Sequence, residues 1–306
     1  MRFTVVKNIY EAALKNKKIH FLTGDLGHAY EDDFKKNIPN QYINAGIAEQ
    51  NMMGIAAGLA LSGMKVFVYS ISPFVTMRCF EQVKNDVCYQ NVDVNIIGVG
   101  GGFSYGPYGN THCSIEDIAV MRVLPNMKIV CPANPLEAEQ LTKQIINLHG
   151  PIYMRIGRGK EPMPKKEYSV TFKKCYRVKE GKDGVILSTG TILTECELAI
   201  ELLLKRGFNF SLINIHTIKP IDQDLVTDLV KNYNAIFTVE EHSIIGGLGS
   251  TIAEIISEKT RKNIKFKRFG VNDIYLHEIG SQEYLRDKHG ISAQKIADSI
   301  IQSLRN

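Results

Sequence analysis

NAGIAEQNMMGIAAGLALSG, residues 44–63, holds one carboxylate, Glu49, and then ten residues, 52–61, without a polar side chain. Small residues recur through it: Gly54, Ala56, Ala57, Gly58 and Ala60. At helical spacing Glu49, Met52, Met53, Ala56, Ala57 and Ala60 share one face. The stretch therefore reads as a helix over 48–62, closely packed, with a single acid near its start. A buried carboxylate is costly unless it is paired or hydrogen-bonded. Two readings follow for Glu49. It is a structural acid bonded to nearby backbone or an arginine, or it is kept for one strong hydrogen bond to a ligand. The helix start favours its charged form and burial opposes it.

Outward from this helix, short β-branched runs alternate with helical patterns, the mark of parallel sheets covered by helices. Strands are expected at IHFLTG (19–24), KVFVYS (65–70), VNIIGVG (94–100), MKIVCP (127–132) and PIYMRI (151–156). Helices are expected near 5–16, 74–90, 115–121 and 135–147. Asn134 can cap the last of these, with Pro135 in its first turn. The charged, proline-bearing segment after residue 157 breaks the pattern. A second series then begins: strands at GVILSTG (184–190), FSLINIHTI (210–218) and AIFTVEE (235–241), and helices near 194–206, 222–231 and 292–304, with GGLGSTIAEIISEK between. The expected fold class is α/β, with two doubly wound domains and mainly parallel sheets. The first domain spans 1–160, a linker 161–180, and the second domain 181–306.

Composition narrows the function classes. A length of 306 residues suits two domains, and 44% hydrophobic residues supply ample core. The net charge of +5 is scattered in Lys-Lys pairs, with no basic stripe and no interleaved aromatics. That pattern argues for solvated surface and against nucleic acid. The six cysteines show neither CxxC pairs nor zinc spacing. Scattered thiols fit a reducing cytosol. The N-terminus has no signal-peptide core and no apolar stretch would span a bilayer. A cytoplasmic protein with no membrane and no nucleic-acid partner is expected.

Three further places could carry chemistry. The glycine-rich GGGFSYGPYGNTHCSIED (100–117) follows a strand end, where ligands usually bind in open α/β sheets. It is neither a dinucleotide fingerprint nor a P-loop. His112 near its end is a structural loop histidine or a catalytic one. In SISPFVTMRCFEQVKND (70–86), Phe74 opens a helix after Pro73, with Met77, Phe80 and Val83 at helical spacing. Phe74 is core, or it faces a ligand ring. In YMRIGRGKEP (153–162), Arg155 and Arg158 lie at and past a strand end. They bind phosphate, for which arginine is suited, or they form inter-domain ion pairs.

Taken in order, these pieces resemble the C-terminal half of the transketolase family of thiamine-diphosphate enzymes. IAEQ (47–50) resembles the family's glutamate helix, and PFVTMRCFEQ (73–82) its aminopyrimidine-stacking segment. YGNTH (108–112) with MRVLPNM (121–127), then INIHTIKPID (213–222) and EEHSIIGGLGS (240–250), follow in register. The resemblance implies a thiamine-diphosphate pyrimidine-binding domain followed by a transketolase C-terminal domain. It also implies transfer of a two-carbon ketol unit from a ketose to an aldehyde. Glu49 would hydrogen-bond the aminopyrimidine N1′ and activate the cofactor. Phe74 would stack on the ring, with Ile71 and Met77 lining its pocket. His112 would face the substrate oxygen, and Arg158, with Arg155, would hold a substrate phosphate. Asp25 matches an acidic position serving the domain interface, and His28 lies at a substrate-contact position.

The family's Gly-Asp-Gly motif for diphosphate and Mg²⁺ is absent from the sequence. The Mg²⁺ ligands are therefore expected on a separate N-terminal subunit. The expected assembly is an α₂β₂ heterotetramer with self-dimerisation, active only with that partner. Tyr108 stands where enzymes of simple ketose phosphates usually have Asp, and Gly100 where they have His. A changed donor or acceptor follows, because a site built to bond a hydroxyl discriminates strongly. Rival readings are the β subunit of a 2-oxoacid dehydrogenase, a deoxyxylulose-phosphate-synthase-like enzyme, and a non-catalytic scaffold. YGNTH and LPNM favour transketolase over the dehydrogenase.

Overall fold

The computed structural model describes residues 1–26, 31–259 and 262–305. The first six strands are β1 (Ile19–Thr23), β2 (Tyr42–Asn44), β3 (Lys65–Ile71), β4 (Val94–Val99), β5 (Lys128–Val130) and β6 (Ile152–Ile156). Six more follow: β7 (Tyr176–Lys179), β8 (Gly184–Thr189), β9 (Phe210–Asn214), β10 (Thr217–Lys219), β11 (Ala235–Ser243) and β12 (Lys265–Val271). They form a seven-stranded sheet in the order β10-β5-β6-β4-β3-β1-β2 and a five-stranded sheet in the order β12-β11-β8-β9-β7. Pairings are parallel except at the two edges β10–β5 and β7–β9. The expected class therefore holds: two α/β domains with mainly parallel sheets. Every residue of β4, β6 and β8 is buried, as continuous apolar strands between two helical layers must be.

The opening stretch folds as read. The helix Glu49–Leu61 buries Glu49, Met52, Met53, Ala56 and Ala57 on one side. Small residues on that face let the helix lie close to the sheet. The helix Pro135–Ile145 starts at Asn134, whose side chain accepts the Glu137 amide.

Two segments fold differently from expectation. The helix expected over 74–90 is broken into Ser72–Thr76, Phe80–Gln82 and a π-helical turn Val83–Cys88. The break falls at Cys79, which is non-helical at φ −115°, ψ 29°. The strand expected over 210–218 ends at Asn214, and β10 crosses to pair with β5 of the first sheet. Ser188 O takes the Ile215 amide and His216 O takes the Cys131 amide, which steers the chain across. The two domains thus share a sheet edge.

The linker expected over 161–180 is not loose. Gln140 and Gln144 bond the backbone of Tyr168, Val170 and Phe172, and Tyr168 stacks on Tyr176 at 3.8 Å. β7 lies inside this segment and already belongs to the second sheet. The sequence reading also passed over β2, β12 and the helices Asp32–Asn37 and Gln282–Lys288. Among the described residues no helix is long and apolar enough to cross a membrane.

Candidate active site

The site forms where loops leave the C-terminal ends of the parallel strands. Glu49 opens its helix and is 1% exposed. Ser70, on β3, donates from Oγ to Glu49 Oε1 at 3.1 Å. Arg78 donates from Nη1 to Oε2 at 2.7 Å. Gly24, just past β1, lies so close that a Cβ there would sit 3.4 Å from Oε1. The carboxylate is thus met by protein on both oxygens, by a hydroxyl on one and a guanidinium on the other.

Arg78 also lies over Phe74, with its guanidinium carbon 4.1 Å from the ring centroid. Phe74 is half-buried and meets the His112 ring edge-on at 5.1 Å. Ile71 is buried below, and Met77 is partly exposed at the rim. The broken helix puts Met77 and Arg78 on a turn between two short helices rather than along one rod.

The glycine-rich loop supplies the opposite wall. Gly102 and Ser114 pair across its base, with amide bonds of 2.8 and 3.0 Å. Tyr108 lies 5.4 Å from the His112 ring, and Tyr105 lies 5.9 Å from Tyr108. Thr111 Oγ1 is 3.0 Å from His112 Nδ1. Arg158 stands over Tyr105 at 4.7 Å and Tyr108 at 5.1 Å, and bonds the Tyr108 hydroxyl at 3.4 Å. Tyr108 remains 56% exposed. Gly100 has φ +80°, and a Cβ on it would lie 2.1 Å from the Tyr105 ring. Its missing side chain is what admits Tyr105.

The second domain clamps this loop. Glu241, buried on β11, accepts the Phe103 amide at 2.5 Å, the Arg286 Nε at 2.5 Å and the Gln282 amide at 2.8 Å. A Cβ on Gly102 would come within 2.3 Å of Glu241 Oε1, so only glycine lets the carboxylate reach in. Leu276 N donates to Asn110 Oδ1 at 3.2 Å, further along the loop.

Glu49, Phe74, Ile71, Met77, His112, Tyr108 and Arg158 therefore lie in one connected patch. Arg155 lies elsewhere. It is 6% exposed in the seam between domains, with Nε on Asp117 Oδ2 at 2.8 Å and Nη2 on Ser114 O and Glu241 O. Burial pulls its pKa down, but the Asp117 charge outweighs this and raises it overall. Its ion pair with Asp117 lies within the first domain, and its link to the second domain is the hydrogen bond to Glu241 O, so the expected inter-domain ion pair is replaced by an intra-domain pair that reaches across the seam. Asp25 is exposed at φ +57° and accepts from Asn44 at 2.9 Å within its own domain. His28 lies outside the described residues. Sequence reasoning missed Arg78, Ser70, Tyr105 and Glu241. Arg78 carried one usable signal, a cation set among apolar and aromatic residues in PFVTMRCF.

Comparison with known proteins agrees with the two-domain fold. Residues 2–163 match the family model for the transketolase pyrimidine binding domain, and residues 173–296 that for the transketolase C-terminal domain. An apulose-4-phosphate transketolase subunit from Actinobacillus succinogenes is 36% identical over 266 residues, covering 87% of this chain and 85% of that protein. A 6-deoxy-6-sulfo-D-fructose transketolase subunit from a Clostridium species is 34% identical over 298 residues, covering 97% and 92%. A solved split gene transketolase, described as an inactive beta4 tetramer, matches with TM-score 0.85 and 33% identity, covering 99% of this chain and 97% of that one.

Proposed function

The chain belongs to the transketolase family, and we propose that it is the C-terminal subunit of a split, thiamine-diphosphate-dependent transketolase. In this reading it moves a two-carbon ketol unit from a ketose to an aldehyde. The observation that carries the reading is Glu49, a buried acid joined through Arg78 to the Phe74 face, which in turn meets His112.

The residues present fit an aminopyrimidine. Glu49 offers a carboxylate away from water, where a charge-assisted bond is strongest. Phe74 offers a ring face, and Ile71 and Met77 offer apolar lining. When bound, the cofactor supplies the carbanion chemistry that side chains cannot. Glu49 holds the ring nitrogen and fixes its proton. His112 polarises the substrate oxygen and carries a proton there. Arg158, braced by Tyr105 and Tyr108, binds an anionic substituent of the sugar. Asp25, exposed past β1, is assigned to the domain interface.

No Gly-Asp-Gly occurs in the sequence, so diphosphate and Mg²⁺ are assigned to a partner subunit in an α₂β₂ assembly. The two relatives named as subunits, matched over most of their length, support this. The substrates these relatives are named for are unusual anionic sugars, and Tyr108 and Gly100 in this chain stand at positions assigned to specificity. A specialised anionic sugar is the proposed substrate class. The six cysteines carry no disulfide, in keeping with a cytosolic setting.

The test is reconstitution with a diphosphate-binding transketolase subunit from the same organism, assayed for ketol transfer. Activity is expected from the pair and from neither part alone. Glu49→Ala should cost several orders of magnitude. Turnover by this chain alone, given thiamine diphosphate and Mg²⁺, would sink the split-enzyme reading.

A further inference from the structure

The two groups assigned to the cofactor ring are Glu49 and Phe74, and one side chain of this protein already touches both. Arg78 bonds Glu49 Oε2 at 2.7 Å and lies over the Phe74 ring at 4.1 Å. A guanidinium is planar, donates hydrogen bonds in its plane and stacks its face on aromatics. An aminopyrimidine held by an acid at its edge and an aromatic at its face makes the same two contacts. We propose that Arg78 is an internal stand-in for the cofactor ring, holding the site in the cofactor-free chain and withdrawing when the ring enters. The proposal rests on the reading of Glu49 as the cofactor's acid.

Burial explains why a stand-in is needed. Glu49 is 1% exposed, and its second partner, the Ser70 hydroxyl, carries no charge. A buried carboxylate left without a cation costs stability, even where water can reach one side of it. Exposure explains why the stand-in can leave. The Arg78 side chain is 43% exposed, so water is available to its guanidinium as soon as the ion pair opens. It sits between two short helices, where a few backbone angles can absorb the movement. The consequence is competition. The ring must displace the guanidinium, so the apparent affinity is reduced by the fraction of chains in which Arg78 occupies the site. Binding energy from the diphosphate end would then be required for loading, which ties cofactor capture to assembly.

The test is calorimetric titration of thiamine diphosphate, with Mg²⁺, into the reconstituted complex. Arg78→Ala should tighten binding by about tenfold, as expected when a competitor filling most sites is removed. Arg78→Lys, which keeps the ion pair and the fold but not the flat face, should bind at least as tightly as wild type. Unchanged or weaker binding in Arg78→Ala would overturn the proposal and make Arg78 a support of the loaded site. Glu49→Gln in the same titration separates the two claims. Weaker binding there with unchanged binding in Arg78→Ala refutes only the stand-in. Wild-type binding in Glu49→Gln refutes the cofactor role of Glu49, and the stand-in with it.

Discussion

Two arginine–carboxylate pairs of the first domain share their chemistry and differ in their surroundings. In the inter-domain seam, Arg155 and Asp117 are 6% and 0% exposed, and the pair also binds Tyr153, Ser114 O and Glu241 O. At the site mouth, Glu49 is as deeply buried as Asp117, but its arginine is nearly half in water. Breaking a buried pair is costly because it leaves an uncompensated charge. A pair sealed on all sides therefore acts as a rivet between domains. A pair open on one side can exchange its cation for a ligand. The sequence places Arg155 and Arg158 in equally plausible spots and passes over Arg78, and only their surroundings sort them.

The seam should show the greatest loss. Asp117→Ala strands Arg155 and the Tyr153 hydroxyl, and should cost about 3–5 kcal/mol in denaturant unfolding. Arg78→Ala in the free chain should cost less, about 1–2 kcal/mol, because water can reach the vacated side of Glu49. Equal losses would erase the distinction between rivet and site.

The seam should also have its own acid limb. His242 is fully buried, accepts the Ala119 amide across the domain boundary at Nε2, and faces Ser243 O at Nδ1. Burial pulls its pKa from 6.5 to about 4. As pH falls below 6.5 the unfolded chain takes up this proton first, so the stability is lost between pH 6.5 and 4. Glu240 beside it runs the other way, because burial pushes its pKa up to about 7. Comparing His242→Gln with wild type across this window removes the Glu240 contribution. The variant should gain on the order of 3 kcal/mol relative to wild type on acidification. A constant difference between the two proteins would contradict a neutral buried His242.

How much of the molecule is legible in the sequence depends on range. The helix over 48–62, and most of the strands, are readable because burial is written into local periodicity. FSLINIHTI reads as one strand because its apolar run is continuous. The break after Asn214 depends on tertiary bonds, including those from Asn214 to Glu137, which no local pattern encodes. The helix over 74–90 is interrupted at Cys79, a break of which the helical spacing of Phe74, Met77, Phe80 and Val83 gives no sign. Of the candidate site, Glu49, Phe74, His112 and Arg158 stand out by residue type. Arg78 does not, since an arginine on a helical pattern reads as surface until its partner 29 residues away is known. Arg155 and Arg158 look alike in sequence. One lies within β6 and turns into the seam, and the other lies past its end.

The mildest change should come from the clamp that joins seam to site. Glu241→Gln weakens the hold on Arg286 and on the Phe103 amide. Amide exchange should rise across residues 100–113, and KM for the sugar should rise about tenfold in the reconstituted pair. Thiamine diphosphate affinity should stay unchanged, because Glu49 and Phe74 are untouched. Loss of cofactor affinity instead would show that the loop and the cofactor wall are one unit.

Whether the cofactor site is shared between two chains is decided by thiamine diphosphate binding, with Mg²⁺, to this chain, to the partner subunit and to their equimolar mixture. Tight binding is expected only in the mixture, and should be lost when the chain carries Glu49→Ala. Tight binding by the partner alone, unaffected by adding either form of this chain, would contradict a shared site.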